Sequence, residues 1–323
     1  MHLPYSQNMD ADMDIDNESF VTAETSLPLG ASIIEGRKIF TKLENSPEVM
    51  NTLAAKLGLS PALKFYDVYS LTELGLFEHI PRPIYALLFI IPLTSAWERI
   101  RLAKDMAREP YEQCGADEPI IWFKQIIGGA CGTIGLLHCL LNGPAQEYIL
   151  PGTTLSQLYE KCIPLKPEAR AQLLYDNEAF EEAHQSCAEL GDTKPPIGKE
   201  NLGQHFVAFV RGDDGWLWEL EGSRVGPVRR GQLEEGEDLL SEHVLKRCIG
   251  GLVEMDGGND YRYSCIALAK DLAQSVSLPL NSLNRGRSVR DEGVPRRGIW
   301  DPSYRHPSWS PPPPGHGGKR PVE

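Results

Sequence analysis

The sequence predicts an α+β fold in which helices flank a mixed or antiparallel sheet. Two apolar segments, ALKFYDVYSL at 62–71 and IYALLFIIPL at 84–93, are typical of strands. The second is apolar on both faces, which predicts a central strand. A third pattern, HFVAFVRGDDGWLWELEG at 205–222, predicts a hairpin with its turn in RGDDG. Helical segments separate these strands irregularly, which favours this fold class.

The first predicted helix carries signals at both of its ends. Ser46 is a capping residue, Pro47 takes the first helical position and Gly58 follows the last one. The apolar stripe between them consists of Val49, Leu53 and Leu57. Further helices are predicted in SAWERIRLAKDMARE, from Cys131 to about Leu141, and in TTLSQLYEKC, PEARAQLLYDNEAFEEAHQ and DLLSEHVLKRCIGGLVEM. Two more strands are predicted in IIWFKQI and YRYSCIALAK.

Composition divides the chain into three parts. Residues 1–36 have aspartate at every second position from 10 to 16, which predicts a disordered acidic arm. Residues 273–323 are rich in Ser, Pro, Arg and Gly, which predicts a disordered tail. The folded domain is therefore expected at 37–272. Within it, the polar segment 186–204 contains many helix and strand breakers and predicts a long exposed loop.

The overall composition argues against several classes of protein. A hydrophobic content of 41% allows one sizeable core, and the formal charge of −13 argues against nucleic acid as the main ligand. We find no secretory signal, and the longest apolar run is too short for a bilayer, so no membrane association is expected. The seven cysteines lack metal-ligand spacing. Reduced thiols in the cytoplasm or the nucleus are expected.

The stretch KQIIGGACGTIGLLHCLLN at 124–142 contains a candidate nucleophile. Gly128 and Gly129 connect an extended apolar segment to a helix that begins near Cys131. Exposed backbone N–H groups at a helix start favour the thiolate, so this thiol loses its proton more easily than others. Such a nucleophile needs a base, a group that orients the base, and donors for the oxyanion.

His205 is the candidate base. It opens an apolar strand directly after the 186–204 loop, where a strand end can present its side chain to a cleft. The alternative is a satisfied histidine at a sheet edge. His138 lies seven residues after Cys131 on the same helix, about 10 Å along the axis, and is interpreted as a packing histidine. The other histidines of the predicted domain fall on solvent-facing helical patterns or in a turn, namely His184, His243 and His79.

The hairpin register predicts the orienting carboxylate. A five-residue turn at 211–215 places His205 opposite Glu221. Cross-strand neighbours have Cβ atoms about 5 Å apart, so the carboxylate can hold the imidazole in one tautomer. Glu219 has the same facing but lies nearer the turn. The alternative for Glu221 is a solvated charge at a strand end.

Gln125 is the candidate oxyanion donor. It lies at the end of the predicted strand IIWFKQI, six residues before Cys131, so its amide can point back at the helix start. The backbone N–H of Cys131, in the first turn of the helix, would be the second donor. A surface glutamine is the alternative.

Taken together, these segments resemble the ubiquitin C-terminal hydrolases, cysteine peptidases of papain-like architecture. KQIIGGACGTIGLLH is similar to the family's nucleophile motif, and HFVAFV…GWLWELEG to its histidine and carboxylate motif. LENSPEVMNTLAAKLGL…FYDVYSL…IPRPIYALLFIIPLT resembles its N-terminal third. The resemblance implies Gln125 as oxyanion donor, Cys131 as nucleophile, His205 as general base and then acid, and Glu221 as orienting carboxylate. Two residues differ from the family's usual ones, since Gly129 replaces Asn and Glu221 replaces Asp.

The resemblance also implies a fold and an activity. The fold is a six-stranded, mainly antiparallel sheet flanked by helices, with a crossover loop at 186–204 over the active site. The activity is cleavage after the C-terminal glycine of ubiquitin, with small or flexible leaving groups and no metal or organic cofactor. The implied partner is ubiquitin or a ubiquitin-like protein, and we expect a monomer. Two alternatives are a catalytically weak ubiquitin-binding protein and a hydrolase for another ubiquitin-like modifier.

Overall fold

The computed structural model describes residues 25–27, 29–71, 73–191, 203–250 and 263–275. All of them belong to one compact unit, Met1–Leu278. Within these ranges, none of the helices has the length and apolar character needed to cross a bilayer. Three predicted segments lie wholly or mostly outside the described residues: the acidic arm up to position 24, the crossover loop and the tail.

A small sheet at the N-terminal end corrects the expected domain boundary. Its three antiparallel strands are β1 (Thr25–Ser26), β2 (Ser32–Ile34) and β3 (Arg37–Ile39). The prediction of disorder up to residue 36 is therefore wrong for the part of the arm that the structure describes. The reason is tertiary: Gly128 donates to Lys38 at 2.9 Å and accepts from Phe40 at 2.8 Å, and Ala31 is buried. The acidic composition of the arm gives no sign of these contacts.

The central sheet has six strands, and all five of its pairings are antiparallel. The strands are β4 (Leu63–Asp67), β5 (Ala86–Pro92), β6 (Gln204–Arg211), β7 (Trp216–Leu220), β8 (Val228–Gln232) and β9 (Ser264–Lys270). Their spatial order is β4-β9-β5-β6-β7-β8. The predicted central strand β5 is buried along its whole length, because its side chains enter two cores on opposite faces of the sheet.

Helices cover both faces of this sheet. They are α1 (Pro47–Leu57), α2 (Ser95–Met106), α3 (Cys131–Leu140), α4 (Thr154–Cys162), α5 (Pro167–Tyr175), α6 (Glu178–Gln185), α7 (Glu242–Leu245) and α8 (Leu272–Ser275). A π-helical turn, Lys246–Gly250, follows α7. The ends of α1 are as predicted, since the Ser46 hydroxyl accepts from the Val49 N–H and Gly58 caps the C-terminus.

The predicted strand IIWFKQI is wrong. Residues 121–126 form no strand, because several of their backbone groups bond to side chains instead of to a neighbouring strand. Asn142 accepts from the Ile121 N–H at 2.6 Å and donates to the Ile121 carbonyl at 2.9 Å. His138 accepts from the Phe123 N–H at 3.0 Å. The single helical pattern at 167–185 is two helices, α5 and α6, and strand β8 was not predicted.

Candidate active site

Cys131 is the first residue of helix α3, as predicted, and its side chain is half-buried. The turn before it depends on Gly129, which has φ +72°. A Cβ atom at this position would lie 2.1 Å from the Phe40 carbonyl oxygen. Asparagine tolerates such a φ but would meet this carbonyl. Glycine therefore lets the segment after β3 pack directly against the turn that presents the thiol.

His205 contacts Cys131 from the neighbouring strand. It is the second residue of β6, where it pairs with Ile91 of β5, and its exposed fraction is 9%. Helix α3 packs on β5 and β6, which brings the start of the helix to this end of the strand. The His205 ring interacts with the Cys131 thiol, and the Phe206 backbone contacts the same sulfur.

The carboxylate of Glu221 lies on the other side of the imidazole. Its Oε1 is 2.7 Å from Nε2 of His205, which leaves Nδ1 of the ring for the thiol. Nε2 has no acceptor at a good hydrogen-bond angle among the described residues, so the contact is a short ion pair rather than an aligned hydrogen bond. Glu221 is 1% exposed and is therefore not a solvated charge.

The predicted hairpin register is wrong by two residues, although the predicted contact is present. The ladder pairs Val210 with Trp218, and the Gly212 N–H donates to the Trp216 carbonyl at 2.9 Å. Continued to the strand end, this register places position 223 opposite His205. A shift of two keeps every side chain on its face, so Glu221 remains on the face of His205 and reaches it diagonally. The extra methylene of glutamate suits this longer reach.

The pKa values of the three groups reflect their mutual contacts. Burial alone would raise the pKa of Cys131, but the hydrogen bond and charge of His205 lower it below the ordinary value for a thiol. Burial alone would lower the pKa of His205, but the Glu221 charge and the thiol contact raise it to about 10. The pKa of Glu221 falls to about 2, chiefly because His205 outweighs the opposing effect of burial. These contacts therefore favour a thiolate on Cys131 paired with an imidazolium on His205.

Gln125 lies beside the Glu221 segment. Its backbone N–H donates to the Gly222 carbonyl at 2.8 Å, which fixes the main chain at this point. Its side-chain Nε2 donates to the Ile127 carbonyl at 3.1 Å and has a second N–H that this bond does not use. The side chain is half-buried rather than a free surface glutamine.

Two further histidines are buried away from the thiol. His138 is buried as expected of a packing histidine, and burial lowers its pKa to about 3. The prediction that His184 faces solvent is wrong: its side chain is buried, and its ring nitrogens contact Thr133 and the Thr41 carbonyl. Because Thr133 lies on α3 and His184 on α6, this histidine ties the two helices together. His243 and His79 are exposed.

A Cys-His-carboxylate set at the start of a helix, packed on an antiparallel sheet, defines a cysteine hydrolase of papain-like type. Comparison with known proteins specifies the family. The model of ubiquitin carboxyl-terminal hydrolase, family 1, matches residues 40–256. The chain therefore belongs to this family of thiol-dependent hydrolases. This confirms the resemblance found in the sequence and the α+β fold class that it implied.

Relatives of the chain come from several kingdoms. It is 32% identical over 240 residues to a probable ubiquitin carboxyl-terminal hydrolase of Dictyostelium discoideum, covering 74% of this chain and 91% of that protein. It is 34% identical over 244 residues to ubiquitin carboxyl-terminal hydrolase 3 of Arabidopsis thaliana, covering 74% and 98%. For isozyme L1 of Homo sapiens the identity is 33% over 231 residues, covering 71% and 97%.

A solved structure supports the fold independently. The catalytic domain of Trichinella spiralis UCH37, bound to ubiquitin vinyl methyl ester, is similar with a TM-score of 0.55 and 22% identity. The similarity covers 72% of this chain and 95% of that domain.

Proposed function

We propose that this chain cleaves the bond after the C-terminal glycine of ubiquitin through a thioester on Cys131. The proposal depends on two contacts of His205. Its ring interacts with the Cys131 thiol, and its Nε2 lies 2.7 Å from Oε1 of Glu221. The names of the relatives, and the ubiquitin vinyl methyl ester bound to the Trichinella spiralis UCH37 catalytic domain, support ubiquitin as the partner.

The proposed reaction has two stages. The Cys131 thiolate attacks the carbonyl carbon of the terminal glycine, and the Gln125 amide and the Cys131 N–H stabilise the oxyanion. The intermediate collapses as the His205 imidazolium gives its proton to the leaving amine, which departs and leaves a thioester. A water molecule then attacks the thioester while His205 accepts its proton, and the thiolate leaves as the free carboxylate forms.

The leaving group is the finer part of the proposal. We infer a preference for small or flexible groups, because the segment 186–204 directly precedes His205 in the sequence and corresponds to the crossover loop that the family resemblance implies. Residues 192–202 of this segment lie outside the described residues. Turnover of a ubiquitin C-terminal amide, compared with a bulky ubiquitin conjugate, tests this preference. Parallel assays with related modifiers test whether ubiquitin itself is the substrate.

We expect ubiquitin with a C-terminal vinyl methyl ester to label Cys131 alone. Cys131 is partly accessible and its pKa is lowered by His205, whereas the five cysteines other than Cys131 and Cys114 are buried. Peptide mapping of the adduct checks the position. Cys131→Ser should abolish labelling and Cys114→Ser should preserve it. Labelling of Cys114, or an absence of labelling, would contradict the proposal.

Gln125→Ala is expected to lower kcat about 10²- to 10³-fold and to leave KM nearly unchanged, because an oxyanion donor acts mainly in the transition state. Steady-state kinetics with a ubiquitin amide measure both constants. The neighbouring variant Lys124→Ala is the control, since Lys124 pairs at the surface with Glu168 at 2.9 Å. A raised KM with unchanged kcat would instead assign Gln125 to ground-state binding.

A further inference from the structure

Ser223 makes two contacts with the carboxylate of Glu221. Its backbone N–H donates to Oε1 at 2.8 Å, and its hydroxyl donates to the same oxygen through a short hydrogen bond. Oε1 is also the oxygen that faces His205. The other oxygen, Oε2, is buried and has no hydrogen-bond partner among the described residues. The orientation of the carboxylate therefore depends on contacts to one oxygen.

The segment that carries Ser223 is fixed to helix α2. The Ser223 carbonyl accepts from Arg101 at 3.3 Å. The next residue, Arg224, is buried and donates to Asp105 of α2 at 3.0 and 2.7 Å, and to Glu219 at 3.0 Å. These contacts hold the main chain at position 223 while the Ser223 side chain stays exposed. A serine held this way can restrain a flexible neighbour.

We propose that Ser223 is a positioning residue that holds the Glu221 carboxylate against His205. Glutamate has one more rotatable bond than the aspartate usual in this family, so its carboxylate has more orientations to lose. Two bonds from Ser223 to Oε1 select the orientation that meets the imidazole. The proposal rests on the role of Glu221 in the proposed function, and Ser223 acts only through that residue.

The test compares turnover of a ubiquitin C-terminal amide by single variants. We expect Ser223→Ala to lower kcat about fivefold to twentyfold with KM within about twofold, because a bond to a charged group is lost while the backbone N–H bond remains. Water at this exposed site replaces part of the lost bond. Ser223→Thr keeps the hydroxyl and should restore kcat to within about twofold of the parent.

Ser60→Ala is the matched control. The Ser60 hydroxyl also bonds to a residue two positions away, where it accepts from the Ala62 backbone N–H at 3.2 Å, but it lies before β4, an edge strand of the sheet. Its kcat should equal that of the parent. A kcat for Ser223→Ala within about twofold of the parent, or a failure of Ser223→Thr to restore it, would overturn the proposal.

A double variant shows whether the effect passes through Glu221. In a Glu221→Gln background, Ser223→Ala should lower kcat no further, since the charge that Ser223 orients is already gone. An equal loss in both backgrounds would overturn the proposal. If Glu221→Gln is damaging and Ser223→Ala is harmless, only the inference about Ser223 fails. If Glu221→Gln itself is harmless, the proposed role of Glu221 fails and the inference fails with it.

Discussion

Glu221→Gln is expected to lower kcat by a large factor, bounded by about 10⁴, the loss for the equivalent change in the serine-protease triad. The amide keeps the shape of the side chain but removes the charge that faces Nε2 of His205 at 2.7 Å. That charge holds the pKa of His205 near 10, against the opposing effect of burial. Without it, burial favours the neutral ring, and the thiolate of Cys131 loses its positive partner.

Two further variants, Glu221→Asp and Glu219→Gln, test whether Glu221 is the carboxylate that orients His205. Glu221→Asp should retain more activity than Glu221→Gln, because the charge survives and only the reach shortens. Glu219→Gln should leave kcat nearly unchanged, because Glu219 is buried against Arg224 and Arg230 rather than His205. Glu219→Gln should instead lower the midpoint of unfolding. Steady-state kinetics on samples checked by circular dichroism rank the three variants, and a damaging Glu219→Gln beside a harmless Glu221→Gln would contradict the assignment.

The pH dependence of thiol alkylation gives an independent measure of the same interaction. The imidazolium lowers the pKa of Cys131, so the rate with a neutral alkylating agent should fall only at a pH below the ordinary thiol range. In Glu221→Gln the imidazolium is less stable, so this midpoint should move to higher pH. Turnover should also fall near pH 10 in the parent, as His205 loses the proton that it gives to the leaving group.

The elements with local signals were predictable from the sequence. Helix α1 has its cap at Ser46 and its terminator at Gly58, and both act as their residue types predict. Strand β5 is apolar at every position because both of its faces are buried. The start of α3 at Cys131 follows from the two glycines before it. In each case residues adjacent in sequence determine the structure.

The elements that depend on distant partners were not predictable. The segment at 121–126 has the composition of a strand, but the backbone N–H groups of Ile121 and Phe123 donate to the side chains of Asn142 and His138. Strand β8 is polar and exists because it pairs with β7. The contact of Ser223 with Glu221 had no signal beyond a spacing of two residues. Such contacts form only in the tertiary structure, so the residues next to them in the sequence do not predict them.

The hairpin turn carries a local signal that favours a shorter loop than the predicted one. Gly215 has φ +76°, which fits the left-handed last position of a three-residue loop. Asp214 fixes this turn, since its Oδ1 accepts from the Trp216 N–H and from the Trp218 indole, both at 3.1 Å. A loop of three residues instead of five moves the register by two. The predicted side of the sheet for Glu221 was still correct, because a register shift of two residues keeps each side chain on the same face.

The largest loss of stability is expected from Arg170→Met. Arg170 is fully buried and pairs with Glu118, which is also buried, through both of its terminal nitrogens. Its Nε donates to the Cys162 carbonyl at 2.9 Å, and Tyr111 donates to Glu118 at 3.1 Å. The variant leaves the Glu118 carboxylate buried without a cation. Breaking one side of such a pair costs about 3–5 kcal/mol of the free energy of unfolding.

Urea unfolding of Arg170→Met and of a double variant, Arg170→Met/Glu118→Leu, separates the loss of the pair from the burial of a lone charge. The double variant should be more stable than the single one, because no uncompensated carboxylate remains and apolar side chains fill the site. Glu168→Gln, which breaks the exposed pair with Lys124, should leave the unfolding midpoint close to that of the parent. A double variant no more stable than Arg170→Met would show that Arg170 acts through its other contacts, to the Cys162 and Trp122 carbonyls, and not by neutralising Glu118.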